Sequence, residues 1–469
     1  MVNQYQSLYD SFRWLIPTHF NIGQECCHRW ANSSVDARRI ALFYETQTGF
    51  REIWTYERLA ATANQLANGL VRMGVRQGDR VALLMGQRPE AVVAHIACYS
   101  LGAVVVPFSP SSTTAFLEQR LRDAEARVAI FDSTSGGLLL NKLSRYPTLK
   151  QLIGIDVQDD RVLHWRNLML RQPNTFKAVA TRASDPAVLF YDADREPHPY
   201  KSDAIATKTS PEQSQTKSAV SQVSPPGIIL SHAALLGNLP TFVASHNWFP
   251  RGAEIMWSDY AWHRTESLMQ ALLPTLYFGQ SLIVSAESHP SKRVLELIQR
   301  YRVTSACMPS ETLVSVQLAN PSPDSPITQT LHSIVTTGNQ LTQEVIDWSK
   351  QNLNVTPNET FGSAATGQIL GNSHLKWPVR AGSMGKPYPG HQVALLDQTG
   401  LPVKPGETGE ICLNRFDLNG HPDPALFSGL WRQDGLTEMV FCGDWYRSGL
   451  FAHMDEDGYY WSDPSKLQA

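Results

Sequence analysis

The chain has 469 residues, with 40 basic and 43 acidic side chains and a formal net charge of −3, so it offers no concentrated basic surface for nucleic acid. Hydrophobic residues make up 42% and charged residues 18%, which excludes global disorder and, at this length, predicts two or three domains with large buried cores. The first residues lack a signal-peptide pattern, long apolar runs are absent and the six cysteines are scattered, so we expect a cytoplasmic protein without a membrane span.

Residues 55–132 alternate between helix and strand patterns. Thr55 is a good cap for a helix whose apolar positions lie about 3.6 residues apart, and Gly74 suits its end. Strands are predicted at 81–85, 103–107 and 128–132, and helices at 89–101 and 115–124. Continuous apolar strands between helices predict a parallel sheet that is covered on both faces.

Residues 195–224 fit neither pattern, because Ser, Thr, Gln, Lys and Pro dominate them. Such a segment cannot bury enough apolar surface to offset the entropy lost on ordering. We interpret it as a flexible insertion between two α/β units.

After residue 225 the α/β pattern resumes. Helices are predicted at 231–246, where Pro240 should kink or divide the helix, and at 291–301 and 342–351. Strands are predicted at 281–285, 305–308 and 333–336. From about residue 376 glycine and proline become dense, and the alternating runs at 392–397 and 410–414 predict antiparallel hairpins. The predicted fold is therefore α/β, with two parallel-sheet units and a small β-rich unit.

Segments along nearly the whole chain match one known family in order and spacing. They are FRW at 12–14, FNIG at 20–23, TYERL at 55–59, GDRVA at 78–82, GAVVVP at 102–107, WS at 257–258, AW at 261–262, LPTLYFG at 273–279, VRAGSMGKP at 379–387, PGETGEI at 405–411 and MDEDGY at 454–459. The sequence resembles the adenylate-forming superfamily and, within it, the acyl-CoA synthetases, with the medium-chain members the most similar.

The resemblance implies an organisation and a reaction. Residues 1–194 would form an N-terminal strap and a first α/β subdomain, 225–375 a second α/β subdomain, and 376–469 a β-rich subdomain that stops before the family's hinge. Members of the family use ATP and Mg²⁺ to convert a carboxylate to an acyl-adenylate, and coenzyme A then displaces AMP. The family's mobile C-terminal domain, which carries the catalytic lysine, has no counterpart in this sequence, so we expect no alternation between half-reactions within the chain.

The family's phosphate loop is the first place where this sequence departs from the pattern. Glycines are needed in such a loop because backbone amides must approach phosphate closely. Here Asp192, Ala193 and Asp194 follow the retained flank, no glycine occurs in residues 155–226, and Pro226 stands where the lysine belongs. Carboxylates in a phosphate cradle would repel ATP.

Two further positions of the family pattern have lost their polar groups. The glutamate that would bind Mg²⁺ is Ala365, and the aspartate that would accept hydrogen bonds from the ribose hydroxyls is Leu450. Neither side chain can bind a cation or accept a hydrogen bond. We therefore expect no catalytic residue, no metal site and no cofactor here, where the family would use ATP, Mg²⁺ and coenzyme A.

Other family positions are retained and leave alternatives open. By the resemblance, a residual nucleotide pocket could form at Thr337, Gly338, Asn339, Phe361 and Gly362. Three aromatic residues could line an acyl or aromatic pocket or simply pack in the core, namely Trp257, Trp262 and Tyr277.

We interpret the chain as an acyl-CoA synthetase-like pseudoenzyme that no longer adenylates carboxylates. It would serve as a scaffold or regulatory partner of another protein, or bind an acyl-type small molecule. Alternatively, it retains AMP-forming acyl-CoA synthetase activity on a medium-chain or aromatic carboxylate, with the missing domain supplied by another chain.

Overall fold

The computed structural model describes residues 3–141, 143–191, 226–285, 290–319, 329–463 and 465. The insertion predicted at 195–224 lies outside the described residues, as do Asp192, Ala193 and Asp194.

Strands and helices alternate through the first two thirds of the described chain, and strands dominate the last third. The strands are β1 (Ile40–Glu45), β2 (Arg51–Thr55), β3 (Arg80–Leu84), β4 (Val104–Phe108), β5 (Val128–Asp132), β6 (Gln151–Ile155), β7 (Leu163–His164), β8 (Pro186–Phe190), β9 (Ile228–Ser231), β10 (Ile255–Ser258), β11 (Ser281–Ser285), β12 (Ser305–Pro309), β13 (Ser333–Thr337), β14 (Asn358–Ser363), β15 (Gly367–Gly371), β16 (Lys386–Pro387), β17 (Val393–Leu396), β18 (Thr408–Asn414), β19 (Gly429–Leu430), β20 (Phe441–Cys442), β21 (Trp445–Met454) and β22 (Tyr460–Ser462). The helices are α1 (Tyr5–Ser11), α2 (Arg29–Ala31), α3 (Tyr56–Arg72), α4 (Pro89–Leu101), α5 (Thr114–Ala124), α6 (Gly136–Leu140), α7 (Trp165–Met169), α8 (Ala234–Ser245), α9 (Thr265–Ser267), α10 (Leu273–Tyr277), α11 (Ser291–Tyr301), α12 (Ser310–Ala319), α13 (Gln343–Asn352) and α14 (Asp434–Met439), with π-helical turns at Gln24–His28 and Leu268–Leu272 and a 3-10 turn at Leu143–Arg145.

The first sheet has eight strands within the described residues, in the order β19-β9-β8-β4-β3-β5-β6-β7. Its centre is parallel, and every residue of β4 and β5 is buried, as the continuous apolar runs predicted. The cap predicted for the helix after Thr55 is confirmed, because the Thr55 hydroxyl accepts a hydrogen bond from the Arg58 amide at 3.2 Å. The predicted α/β fold class is thus confirmed in this half of the chain.

The second sheet has nine strands in the described part of the chain, in the order β16-β15-β14-β13-β12-β10-β11-β1-β2. The hairpin β1–β2 belongs to this sheet, because β1 pairs in parallel with β11, although the sequence grouped its residues with the first unit. Helix α8 runs through Pro240 without a break, whereas the sequence allowed for a division there. Side chains tie the helix on both sides of the proline, since Asn238 donates to the Ala234 carbonyl and Thr241 to the Gln368 carbonyl.

The third sheet is antiparallel and comprises β17, β18, β20, β21 and β22, which confirms the β-rich unit predicted from the density of glycine and proline. The N-terminal segment docks beside this unit through three side-chain donors. Tyr5 and Tyr9 donate to the Pro387 and His391 carbonyls at 2.9 and 2.8 Å, and Trp14 donates to the Gly390 carbonyl at 3.0 Å. The segment therefore ties residues 5–14 to residues 387–391.

No helix in the described ranges is both long and apolar enough to cross a membrane.

Candidate functional site

A narrow cleft, with about 270 Å³ of empty space when the open solvent at its mouth is included, lies between elements of the first and second sheets and the helices beside them. One wall is α8 and another is the helical segment that begins at Thr265. The β14–β15 hairpin closes a third side, and Leu230 of β9 and Ala425 complete the lining. The space that the centre of a water molecule can reach inside it is about 10 Å³, which is roughly what one ordered water needs.

The turn of the β14–β15 hairpin contains Ala365, where the family pattern has its magnesium ligand. A Cβ atom on Gly362 would lie 1.9 Å from the Gly367 carbonyl oxygen, so only glycine permits the two strands to pair this closely. Ala365 is 5% exposed and belongs to the same apolar core cluster as Phe427. The Phe427 amide donates to the Ala365 carbonyl at 2.7 Å. The family's turn is therefore retained, and an apolar contact occupies the place of the carboxylate.

Leu450 lies in β21, where the family pattern has its ribose-binding aspartate. The side chain packs against an apolar cluster that combines Ile369 and Leu370 of β15, in the second sheet, with residues of the third sheet. The strand just before it is held by Glu410, whose carboxylate accepts a hydrogen bond from the Gly449 amide at 2.7 Å. The backbone around position 450 is thus well anchored, but the side chain contributes to a core and has no polar atom for a ribose.

The retained nucleotide-pocket residues Thr337, Gly338 and Asn339 follow the end of β13. The Thr337 amide donates to the Tyr260 hydroxyl at 3.1 Å, and the two residues' hydroxyls are also hydrogen-bonded. Asn339 is exposed and donates to the Glu311 carboxylate at 2.8 Å. A carboxylate therefore lies beside the place where a nucleotide would approach, which disfavours an anion there.

The segment that follows the predicted phosphate loop is fixed by the chain near Trp431. Pro226 is half-buried and leads into β9. The Trp431 amide donates to the Gly227 carbonyl at 2.7 Å, and the Ser428 amide donates to the Ile229 carbonyl at 2.8 Å. A proline thus stands just before β9 in place of the family's lysine. The Gly227 and Ile229 carbonyls already accept hydrogen bonds from the chain near Trp431.

The three aromatic candidates are core residues and are not among those that line the cleft. Trp257 and Trp262 are 0% and 3% exposed and belong to two different apolar clusters. Tyr277 is half-buried and carries the Arg29 guanidinium 4.4 Å from its ring centre. These contacts are those of core packing, and the interpretation of the three residues as the lining of an acyl or aromatic pocket stays a prediction.

The chemistry of the cleft comes instead from buried amides that sequence reasoning missed. Asn238, Gln270 and Gln368 are 3%, 1% and 6% exposed and all line it. Gln270 donates to Asn238 at 3.0 Å. Gly367 has a φ of 65° and leaves room for Asn238, because a Cβ atom on residue 367 would lie 2.7 Å from the Asn238 side-chain oxygen. These amides lie in α8, in the π-helical turn Leu268–Leu272 and on β15. Single polar residues of this kind carry no periodic signal, although their position within otherwise apolar stretches is unusual.

The donor set does not fit a magnesium ion. Within the described ranges, no three side chains of the types that ligate metals lie together. Glu266, the carboxylate of the cleft, lies 3.5 Å from the Arg264 guanidinium. Mg²⁺ would require several oxygen ligands in octahedral geometry, and alanine at 365 supplies none.

Comparison with known proteins places this arrangement in a family. The profile of the family described as AMP-binding enzyme matches residues 28–192 and 224–417, which is well over half of the chain. The chain belongs to the AMP-binding enzyme family. The two matched stretches flank residues 193–223, which interrupt the match at the position of the phosphate loop.

Curated relatives of the chain are acyl-CoA synthetases and ligases. The chain is 26% identical over 452 residues to the uncharacterized acyl–CoA ligase YtcI of Bacillus subtilis, covering 95% of this chain and 77% of the relative. It is 24% identical over 474 residues to the mitochondrial acyl-coenzyme A synthetase ACSM3 of Rattus norvegicus, covering 98% of this chain and 74% of the relative.

A solved structure shares the fold. The acyl-CoA synthetase of Brucella canis superimposes with a TM-score of 0.82 at 21% identity, covering 98% of this chain and 79% of that one. The three-sheet architecture of this chain is thus that of an acyl-CoA synthetase.

Proposed function

We propose that this chain is an acyl-CoA synthetase homologue that no longer adenylates carboxylates and instead acts as a scaffold or regulatory protein or binds a small acyl-type ligand. The observation that carries the proposal is the apolar packing of Ala365 and Leu450, the two positions where family members would hold Mg²⁺ and ribose. Both side chains contact hydrophobic clusters, and neither has an oxygen that could bind a cation or accept a hydrogen bond from a ribose.

The sequence before β9 supports the same proposal. The family match breaks at residues 193–223, where glycine-rich backbone would surround the phosphates. Asp192 and Asp194 bring negative charge to this break, and Pro226 removes the lysine. Each charge-assisted contact that is missing would weaken nucleotide binding by about 1.5–3 kcal/mol, and three together by several powers of ten.

The proposal includes a scaffold role beside ligand binding. A protein partner, such as an active synthetase, would then bind the chain differently when the ligand is present.

We also propose a cytoplasmic location. The support is that all six cysteines are free thiols and that five of them are buried. Fractionation of the native protein tests the location, and co-purification from native lysate tests the partner.

A second candidate is residual AMP-forming activity, and the retained hairpin favours it. Gly362 preserves the close pairing of β14 with β15, and Thr337 keeps the backbone at the end of β13 in place. These groups would hold an adenine ring without Mg²⁺.

Exchange of labelled pyrophosphate into ATP tests the proposal directly. The full chain is assayed with Mg²⁺ and a panel of short, medium-chain and aromatic acids, with rat ACSM3 as the positive control. We expect no exchange above background with any acid. Exchange that depends on an added acid would overturn the proposal and favour the second candidate.

A matched substitution in an active relative strengthens the test. Replacing its magnesium-binding glutamate by alanine and its ribose-binding aspartate by leucine, as at positions 365 and 450 here, should abolish exchange while the protein still folds. Retained exchange in that double variant would show that the two losses do not explain inactivity. The result would remove the observation on which the proposal rests.

A further inference from the structure

Two segments without acidic residues lie side by side on the surface of the first α/β unit. They are residues 58–78, which include most of α3, and residues 161–184, which include α7, and neither contains an aspartate or a glutamate. The net charge of −3 does not reveal this feature, because the two segments are distant in the sequence and meet only in the fold. We call the surface that they share the basic face.

Side-chain amides of α3 hold the second segment in place. Asn64 donates to the Asn174 carbonyl at 2.9 Å, and Asn68 donates to the Pro173 and Thr175 carbonyls at 3.1 and 2.9 Å. The backbone of the second segment is thus fixed against α3, and the side chains that both segments expose belong to one surface.

Helix α7 is apolar towards α3 and is followed by an exposed leucine. Trp165, Leu168 and Met169 are buried, and a Cβ atom on Gly69 of α3 would lie 2.8 Å from the Leu168 side chain. Leu170, directly after the helix, is 82% exposed. A single exposed leucine is common on protein surfaces, so its meaning depends on what lies around it.

Four exposed cations share the basic face with Leu170. The Leu170 amide donates to the Arg166 carbonyl at 3.1 Å, which places Arg166 one helical turn away, and Arg171 follows Leu170 directly. Arg72 of α3 donates to the Arg171 carbonyl at 3.4 Å, and Lys177 is the fourth cation. Within the described ranges, none of the four makes an ion pair with a carboxylate.

Other exposed arginines of the first unit show the contrast. Arg122 and Arg145 both pair with the Glu118 carboxylate, at 3.5 and 2.9 Å. Arg76 belongs to the same segment as α3, but its guanidinium donates to the Val71 carbonyl at 3.2 Å and so serves the end of that helix. The four cations of the basic face have no carboxylate partner of this kind among the described residues, so their charge is available to an anion outside the protein.

We propose that the basic face docks the protein on an anionic lipid bilayer, with Leu170 among the acyl chains and the four cations at the lipid phosphates. Cations around an inserted apolar side chain are the features by which proteins lie on such a bilayer. The centre of a protein–protein interface holds several large apolar or aromatic side chains, whereas Leu170 is the one exposed large apolar residue of these two segments in the described chain. Nucleic acid would use the cations and leave the leucine without a role.

The proposed mode of docking is peripheral and needs no spanning helix. The cytoplasmic leaflet is the anionic one, so the bilayer surface agrees with the cytoplasmic location proposed above. Each lysine or arginine near such a surface strengthens binding about fivefold, so the four cations together contribute roughly several hundredfold.

Co-sedimentation with vesicles tests the proposal on the unmodified full chain. Vesicles of phosphatidylcholine with one third phosphatidylserine are compared with vesicles of phosphatidylcholine alone. We expect at least about tenfold tighter binding to the anionic vesicles, and its loss as the ionic strength rises from about 0.05 M to about 0.3 M. No binding to either vesicle at millimolar lipid, or equal binding to both, overturns the proposal. Binding of poly-glutamate or duplex DNA without binding of the anionic vesicles also overturns it, because the face would then recognise another macromolecule.

A double variant assigns the binding to the basic face. Arg166→Gln with Arg171→Gln removes two exposed cations, so affinity for the anionic vesicles should fall about 25-fold. Arg122→Gln with Arg145→Gln is the matched control, because it changes the net charge equally but removes arginines that Glu118 already neutralises. An equal fall in both double variants would show that net charge alone governs binding, and it contradicts the assignment.

Leu170→Ser tests the apolar contact. The variant keeps every charge, so its affinity for the anionic vesicles should fall about tenfold while the dependence on ionic strength stays the same. Leu318→Ser is the control, because Leu318 is 75% exposed on α12, outside the basic face, and it should bind as wild type does. A Leu170 variant that binds as tightly as wild type, or an equal fall in both variants, contradicts the insertion. None of these measurements needs ATP, so their outcome is separate from that of the exchange assay.

Discussion

Replacing Glu359 by glutamine should remove a pH-dependent loss of stability. Glu359 lies on β14, two residues before Phe361, and is 7% exposed. One of its carboxylate oxygens accepts a hydrogen bond from the Leu341 amide at 2.7 Å, and the other has no partner in the described ranges. Burial raises the pKa of this carboxyl to about 7, from an ordinary 4.5.

The sign of the effect follows from where the proton is held more tightly. The folded protein keeps the Glu359 proton at pH values where the unfolded chain has released it, so stability falls as pH rises from about 4.5 to about 7. The loss is absent below this window and complete above it. A pKa difference of this size corresponds to about 3 kcal/mol, or about 6–12 °C in the melting temperature of a unit of 150–250 residues.

Thermal or urea unfolding of wild type and Glu359→Gln between pH 4.5 and 8 measures the effect. The glutamine keeps the acceptor for Leu341 but cannot ionise. The difference between the variant and wild type should therefore grow with pH, by about 3 kcal/mol in favour of the variant between pH 4.5 and pH 8. Glu344→Gln, at an exposed position of α13, is the control and should follow wild type. A difference between Glu359→Gln and wild type that is constant with pH, or largest at the acidic end, would refute the reasoning.

Two further substitutions test the packing around the site. Gly362→Ala places a Cβ 1.9 Å from a backbone oxygen and should lower the free energy of unfolding by about 3 kcal/mol or more. Its control is Gly435→Ala, which lies in a helix with open space around the new Cβ and should be neutral or stabilising. Similar effects of the two substitutions would contradict the close pairing of the strands. The ring of the buried His391 has a nitrogen 2.6 Å from the Asp423 carboxylate, and Asp423→Ala removes this partner. The substitution should lower the free energy of unfolding by about 2–5 kcal/mol. Its control is Asp444→Ala, which breaks an exposed ion pair and should change that free energy by less than about 1 kcal/mol. Denaturation of the four variants decides both, and an Asp423 variant as stable as wild type would show that the pair contributes nothing.

Much of the secondary structure could be predicted because local signals determine it. The strand at 128–132 and the helix at 291–301 have the predicted bounds, since apolar runs and turn residues delimit them. The place of β1 could not be predicted, because its partner β11 lies some 240 residues later and any apolar strand edge could have accepted it. Pairing over such a separation depends on the assembled sheets and leaves no local pattern.

The candidate site shows the same limit. The sequence identified Ala365 and Leu450 as losses because a family pattern supplied the expected residue. It could not identify the hydrogen bond between Asn238 and Gln270, because this bond joins a residue of α8 to another 32 positions later by side-chain geometry alone. Buried polar residues have no period, so which of them lie together depends on the packing of the helices against the hairpin.

The docking of the N-terminal segment has a consequence for synthesis in the cell. The carbonyls that Tyr5 and Tyr9 bind belong to residues 382 positions later. At about 5–20 residues per second, the ribosome needs on the order of 20–80 s to produce those acceptors. During that interval Tyr5 and Tyr9 of α1 lack these acceptors, so a segment made early is among the last to fold. A chaperone that holds exposed aromatic residues would meet this segment before the β-rich unit exists.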